Sequence, residues 1–237
     1  MIRFATLFLF CSLAVPLSAE IRTQAVYTAK LYGATLATIN LTGRTTDGRY
    51  SVSAELSTKG LVSALSDASY FGKVSGTRSG ERFRPARYTE TVKENGAERA
   101  GALVYQAGMP QPQGFKAEER GPDALALSGQ GDTVDPLTGI FMVFRDQPAA
   151  EVCPPLRQFV FDGERRTVIE LKRTAESADE ITCAGQFRRV AGYAKDDRYG
   201  RRKVLPIELT YRRAGDLMQM QEIRFQTDYG PARLERR

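Results

Sequence analysis

Histidine and tryptophan are absent from the 237-residue chain, and cysteine occurs only three times. Without histidine, Ser-His-Asp and Cys-His catalysis, histidine general-base chemistry and histidine-ligated metal sites are excluded. The chain also lacks the Gly-Lys-Ser/Thr phosphate-binding motif and the dinucleotide fingerprint. We therefore predict no catalytic residue, no metal site and no cofactor, although a hydrolase that uses a serine or a carboxylate stays open as an alternative.

The chain has no apolar run of the length that a membrane-spanning helix requires. Residues 1–19 hold one cation, Arg3, then an apolar run of about twelve residues, then Pro16 and a small-residue end at Ala19. This order is typical of a secretory signal, and we predict cleavage near Ala19. We accordingly expect a single β-rich domain over residues 20–237, located in the periplasm and not spanning the membrane.

The cysteine count changes once the predicted signal is removed, because Cys11 lies inside it. Cys153 and Cys183 then remain, and in an oxidising compartment two cysteines allow one intramolecular pairing. We predict a disulfide between them. A reactive thiol pair is the alternative, but the usual redox spacing of two intervening residues is absent.

Alternation of apolar and polar residues recurs along the chain and is typical of half-buried strands. It appears at 26–32, 35–42, 50–56, 68–79, 88–93, 99–106, 159–161, 166–172, 181–188, 205–212 and 222–226. Asn95-Gly96 between two such runs indicates a hairpin. Residues 61–65 favour a short helical turn, and the Gly- and Pro-rich segment 108–114 favours a loop.

A longer helix is predicted at residues 135–144, where Asp135 serves as N-cap and Pro136 occupies the first helical position. Its body is apolar almost all round, so we expect it to be buried. The fold class is therefore mainly β, with about ten or eleven strands in one curved antiparallel sheet, a half-barrel or β-spiral, wrapped around this helix. Three of its residues could also line an apolar ligand cavity: Ile140, Phe141 and Phe144.

Basic residues outnumber acidic ones, 34 to 28, and several of them are clustered. A solvated positive surface is one interpretation of these clusters. The other is contact with an anionic envelope component such as lipid phosphate, for which we select Arg198, Arg201, Arg202 and Lys203. No nucleic-acid recognition motif is present, and export would separate the protein from nucleic acid.

Short segments in a fixed order carry a resemblance to a known family: 27–33, 48–50, 58–61, 83–88, 134–138, 159–166, 191–193 and 205–207. The most specific are the Phe-Asp-Gly at 161–163 with its two following arginines, and the Asp-Pro-Leu at 135–137. In this order they resemble the proteobacterial exported family catalogued as domain of unknown function 3108. That family has no established activity, so the resemblance implies no catalytic residue. At the level of fold, the architecture is also similar to periplasmic half-barrel or β-spiral envelope proteins.

Two functions from different classes follow as expectations. The first is a non-enzymatic periplasmic protein that binds or scaffolds an envelope protein or another envelope component and supports cell-envelope integrity. The second is a carrier or sensor of a lipid, acyl chain or other apolar ligand in the concave face of the sheet. A ligand-sized cavity beside the helix would favour the second.

Overall fold

The computed structural model describes residues 20–46, 48–59, 68–194 and 202–237. The predicted export signal at 1–19, the predicted helical turn at 61–65, and Arg198 and Arg201 lie outside these residues. The statements made about them above therefore stay predictions.

Fourteen strands in the described residues form one sheet, and strands hold most of the chain. Their bounds are β1 Ile21–Leu31, β2 Ala34–Thr46, β3 Arg49–Thr58, β4 Ala68–Ser79, β5 Arg82–Glu94, β6 Ala97–Gln106, β7 Met109–Gly114, β8 Thr133–Val134, β9 Leu156–Phe161, β10 Arg166–Glu176, β11 Glu180–Ala191, β12 Val204–Ala214, β13 Leu217–Thr227 and β14 Gly230–Arg236. The described helices are α1 Phe115–Glu118 and α2 Pro136–Phe144, with 3-10 turns at Leu127–Gly129 and Ala149–Glu151.

The strand order is β7-β6-β5-β4-β3-β2-β1-β14-β13-β12-β11-β10-β9-β8. Strands β1–β7 form one antiparallel meander, which we call the first half-sheet, and β8–β14 form the second half-sheet. The two join where β1 pairs with β14, with Tyr27 opposite Arg236 and Leu31 opposite Ala232. Short β8 pairs parallel with β9. The described sheet is open, and β7 and β8 are its edges.

Helix α2 lies against the inner faces of both half-sheets, so the sheet must curve around it. Phe141 packs on Tyr50 and Phe83, and Phe144 makes an edge-on contact with Tyr27 at 5.0 Å between ring centroids. Side chains from the second half-sheet belong to the same buried cluster: Val160, Ile181, Leu209 and Met220. One core therefore unites the two halves.

The start of α2 follows the local chemistry expected from its sequence. The Asp135 carboxylate accepts hydrogen bonds from the backbone N–H of Thr138 (2.9 Å) and from its hydroxyl (2.6 Å), and Pro136 occupies the first turn. The Tyr50 hydroxyl is 2.8 Å from Thr138 Oγ1, which ties the cap to β3. The predicted helix at 135–144 is confirmed in its position.

Its burial differs from the prediction. Ile140 is 44% exposed, and Pro136 is only half-buried. The helix is therefore enclosed on one side and open on another. The physical reason is that the sheet does not close over this side of the helix, and the space left there is a cavity.

The predicted count of ten or eleven strands is also wrong. Strands β7, β8 and β14 carried no clear alternation, and each is stabilised by pairing with a stronger neighbour. The segment 108–114, predicted to be a loop, contains β7, in which Pro110 and Pro112 pair opposite Tyr105 and Leu103. Proline is tolerated there because an edge strand needs ladder hydrogen bonds on one side only.

A disulfide joins Cys153 to Cys183, as the cysteine count predicted. Cys153 precedes β9, whereas Cys183 lies in the middle of β11 with no exposed surface. The bond therefore ties the segment that follows α2 to the second half-sheet.

Candidate functional site

A cavity of about 640 Å³ lies between the open side of α2 and the inner faces of both half-sheets. Most of its wall is aliphatic or aromatic. The first half-sheet contributes Ile39, Leu41, Leu56 and Tyr70, and the second contributes Ile169, Phe187, Leu205, Ile207 and Phe225. Its volume is within the range of small-molecule sites, about 300 to 1,000 Å³.

The pairing register brings these apolar residues together. Ile39 lies opposite Leu56, and Leu56 lies opposite Tyr70, so one inward row crosses β2, β3 and β4. A matching row crosses β10, β11 and β12: Ile169, Phe187 and Leu205. Because side chains alternate between the two faces of a strand, each row faces the cavity while its neighbours face solvent.

Helix α2 supplies the inner wall of the cavity. Of the three helix residues selected from the sequence, two line the cavity and one does not. Ile140 and Phe144 line the cavity. Phe141 does not, because its ring has no exposed surface and packs between Tyr50 and Phe83 on the other side of the helix. The expectation that Phe141 lines a ligand site is therefore corrected, whereas ligand binding by the other two stays a prediction.

A buried polar cluster forms one part of the cavity wall. Glu90 pairs with Lys116 at 2.7 Å, and their side chains are 9% and 8% exposed. The Tyr88 hydroxyl donates to Glu90, and the Tyr70 hydroxyl is 2.8 Å from that of Tyr88. Lys116 also donates to the carbonyl oxygen of Asp162 at 2.6 Å, so the cluster links β5 to the turn after β9.

The direction of these hydrogen bonds is determined by protonation. Burial raises the pKa values of Tyr70 and Tyr88 well above the ordinary value, so both phenols keep their protons at neutral pH. Since Tyr88 donates its proton to Glu90, Tyr70 must donate to Tyr88. The Tyr70 hydroxyl then keeps the capacity to accept a hydrogen bond, and Tyr70 is one of the residues that line the cavity.

Among the described residues that line the cavity, the cationic one is Arg165, in the turn between β9 and β10. The Asp162 carboxylate holds this turn by accepting from the backbone N–H groups of Glu164 (2.9 Å) and Arg165 (2.7 Å). The Arg165 guanidinium lies over the ring of Tyr193 at 5.5 Å, and its side chain is 45% exposed. A charge in this place can reach both the cavity and solvent.

The opposite end of the fold is held together by buried ion pairs. Asp146, just after α2, pairs with Arg236 at 2.6 Å, and both side chains are less than a tenth exposed. Arg145 pairs with Glu151 at 2.8 Å, and Arg78 contacts the same carboxylate. Burial opposes the charged form of Glu151, yet Arg145 and Arg78 hold its pKa below the ordinary value. The pocket beside Arg145 and Glu151 measures only about 30 Å³, so it offers a ligand far less room than the cavity at Arg165.

The anion-contact residues selected from the sequence are only partly described. Arg202 lies near the surface and pairs with Asp228 at 3.1 Å. Lys203 is exposed, and its carbonyl oxygen accepts from the backbone N–H of Arg189. Arg198 and Arg201 lie outside the described residues, so anion contact by this group stays a prediction.

In the described ranges, no three Cys, Asp or Glu residues come together in a group that could hold a metal ion. Within the same ranges, no helix has the length and apolar character needed to cross a membrane.

Sequence reasoning missed the Glu90–Lys116 pair, because these residues lie on separate elements and neither has a recognisable motif.

The fold and the cavity define a β-rich protein in which one open sheet and a central helix surround an apolar pocket. The chain belongs to the family described as "Protein of unknown function (DUF3108)", whose profile matches residues 26–235. It is similar in structure to a beta-barrel-like protein of the domain of unknown function DUF1849 from Brucella abortus. The TM-score is 0.48 at 11% identity, over 92% of this chain and 96% of that chain. No curated protein matches the chain.

Proposed function

We propose that the protein binds a single-chain amphiphile, with its hydrocarbon chain in the cavity and an anionic headgroup at Arg165. The observation that carries this proposal is the apolar cavity of about 640 Å³ between α2 and the sheet. The proposal includes the expectations of a non-enzymatic role and of export to the periplasm. It ranks ligand binding above a scaffold role, because a scaffold does not require a cavity.

The exposure of Ile140 supports the hydrocarbon part of the proposal. A large aliphatic side chain on a central helix is normally covered, yet 44% of this residue is open to the cavity. Burial of apolar surface stabilises by about 25 cal/mol per Å². A hydrocarbon chain seated against Ile140 would therefore gain free energy from covering it and from covering the apolar rows on the facing strands.

The position of Arg165 supports the anionic headgroup. The carboxylates of the described wall are already engaged: Glu90 binds Lys116 and Tyr88, and Asp162 accepts from the backbone N–H groups of its own turn. The Arg165 guanidinium lies 4.0 Å from the Glu164 carboxylate and forms a weak ion pair with it. This pair leaves the guanidinium open to a second partner. A guanidinium matches carboxylate and phosphate geometry.

The proposal can be tested with delipidated protein and a fluorescent fatty acid. Ile140→Asp places a charge against the hydrocarbon chain, and we expect it to weaken binding at least tenfold. Val190→Asp is the matched control, since Val190 is 40% exposed and does not line the cavity; it should leave binding within twofold. Equal affinities of the two variants would contradict the assignment of the cavity.

The headgroup is tested by comparing a fatty acid with the alcohol of equal chain length. Arg165→Gln should weaken binding of the acid and leave binding of the alcohol unchanged. Native mass spectrometry of protein purified from its own compartment should in addition show a bound lipid. A clean apo mass, with no lipid released on denaturation, would oppose the proposal.

A further inference from the structure

A second concave surface lies on the outer face of the first half-sheet, facing away from the cavity. It is a groove of about 540 Å³ that crosses β1 to β5, and we call it the outer groove. Two neighbouring rows of outward side chains build it. The first row starts with Arg22 opposite Arg44 and ends with Ser75 opposite Arg87. The second row starts with Gln24 opposite Thr42 and ends with Lys73 opposite Thr89.

Cations form both walls of the outer groove. Arg22 and Arg44 are adjacent on β1 and β2, and both contact one acid, Glu20, at 2.7 and 2.8 Å. Lys73 and Arg87 lie at the other end on β4 and β5, and neither forms an ion pair with any described residue. The groove therefore carries an excess of positive charge that the described chain does not neutralise.

Hydroxyl groups form the floor between the two cation pairs. Ser51 lies opposite Arg44 on one side and opposite Ser75 on the other, and in the next row Ser53 lies between Thr42 and Lys73. These side chains are short, so the taller arginines and lysine rise above them and make the surface concave. Each hydroxyl can donate one hydrogen bond to an oxyanion.

We propose that the outer groove binds a linear polyanion that carries phosphate groups along its length. Neighbouring strands are about 4.8 Å apart, so β2 and β5 are separated by roughly 14 Å measured across the sheet. One phosphate group can contact one cation pair only, whereas a chain of phosphates reaches both pairs and passes over the hydroxyl floor. Guanidinium forks and hydroxyl donors suit phosphate oxygens.

The alternative source of phosphate is a membrane surface, and the shape of the groove disfavours it. The phosphates of a bilayer form a broad, nearly planar layer, whereas these cations lie at the two ends of a groove with short hydroxyl side chains between them. A flexible chain can follow the floor of such a groove, but a planar layer would contact only its rim. Binding to vesicles rather than to a chain is therefore an outcome that would overturn the proposal.

The test measures affinity for orthophosphate, tripolyphosphate and a polyphosphate long enough to span the groove, by titration calorimetry near physiological salt. We expect the long chain to bind at least tenfold more tightly than tripolyphosphate. Arg44→Gln with Arg87→Gln removes one cation from each pair and should abolish this advantage of length. Both side chains are exposed, and an unchanged thermal melt would show that the variant folds.

The matched control is Lys172→Gln with Arg212→Gln, which removes the same charge from exposed positions on β10 and β12. It should leave the affinity for the long chain within twofold. A tenfold loss in this control would show that overall charge governs binding, and the proposal would fail. It would also fail if all three phosphates bound equally, or if phosphatidylglycerol vesicles bound and the long chain did not.

The outer groove and the apolar cavity are on opposite faces of the sheet, so the two proposals fail independently. The Arg44→Gln, Arg87→Gln variant should bind a fluorescent fatty acid as the unaltered protein does.

Discussion

Asp135 is a buried carboxyl group whose protonation should link the stability of the fold to pH. It has no exposed surface, and both its oxygens accept hydrogen bonds from Thr138. Burial raises the pKa of Asp135 to about 6 from an ordinary value of 3.8, and the bonds to Thr138 oppose the rise only in part. No ion pair to Asp135 is present among the described residues.

The sign and size of the effect follow from the two pKa values. Between about pH 4 and pH 6 the native state holds a proton that the unfolded chain has released. Stability from this group is therefore complete below the unfolded pKa and is lost as the pH rises through the folded pKa. A shift of about two units at 1.36 kcal/mol per unit corresponds to a loss of about 3 kcal/mol.

Asp135→Asn isolates this contribution, because asparagine stays neutral and can still accept a hydrogen bond from the Thr138 N–H. The assay is urea unfolding followed by far-ultraviolet circular dichroism, repeated from pH 3.5 to pH 8. The free energy of unfolding of the unaltered protein minus that of the variant should fall by about 3 kcal/mol across this range. Taking the difference removes the contributions of other carboxylates, such as Glu151 and Glu235, whose pKa values are lowered.

Two further variants sharpen the test. Thr138→Val removes a hydrogen bond to the charged carboxylate, so the pKa of Asp135 should rise further and the fall in stability should become larger and extend to higher pH. Asp216→Asn, at an exposed turn, should leave the pH dependence unchanged. A difference between the unaltered protein and Asp135→Asn that stayed flat from pH 3.5 to pH 8 would refute the reasoning.

Three other variants test how the fold is held together. Cys153→Ser should lower the free energy of unfolding by about 3 to 4 kcal/mol under oxidising conditions, because the disulfide closes a loop with a sequence separation of 30. In reductant the variant should be as stable as the unaltered protein. An equal loss in both conditions would assign the effect to packing. Gly43→Ala should cost about 1 to 3 kcal/mol in urea unfolding, because its Cβ would overlap the edge of the Phe141 ring. Phe141→Leu should recover part of that loss. Lys116→Met should lower the free energy of unfolding by about 3 to 5 kcal/mol, because it leaves the buried Glu90 carboxylate without its cation. If adding Glu90→Gln restored none of this stability, the broken ion pair would not be the cause of the loss.

Local pattern was sufficient for the elements with strong alternation. The runs at 181–188 and 205–212 alternate clearly, and both lie within strands of the sheet. The start of α2 was equally predictable, since the aspartate cap and Pro136 act within one helical turn. Where pattern was weak, as in β7 and β14, the strand exists because a neighbour supplies its hydrogen bonds.

The candidate cavity was only half predictable. The sequence indicated an apolar helix inside a curved sheet, but it did not show which side of the helix the sheet would leave uncovered. That choice separates Ile140, which is open to the cavity, from Phe141, which is buried between two aromatic rings. The difference comes from packing against strands far away in the chain.

By itself, the sequence determined the mainly β class, the position of the central helix, the single cysteine pairing and the exclusion of histidine chemistry. The tertiary structure alone decided the number of strands, the meeting of β1 with β14, the shape of the cavity and the outer groove. Arg22, Arg44 and Arg87 are far apart in the chain and have no shared motif. They lie in one row because strand register, which depends on pairing across the whole sheet, aligns them.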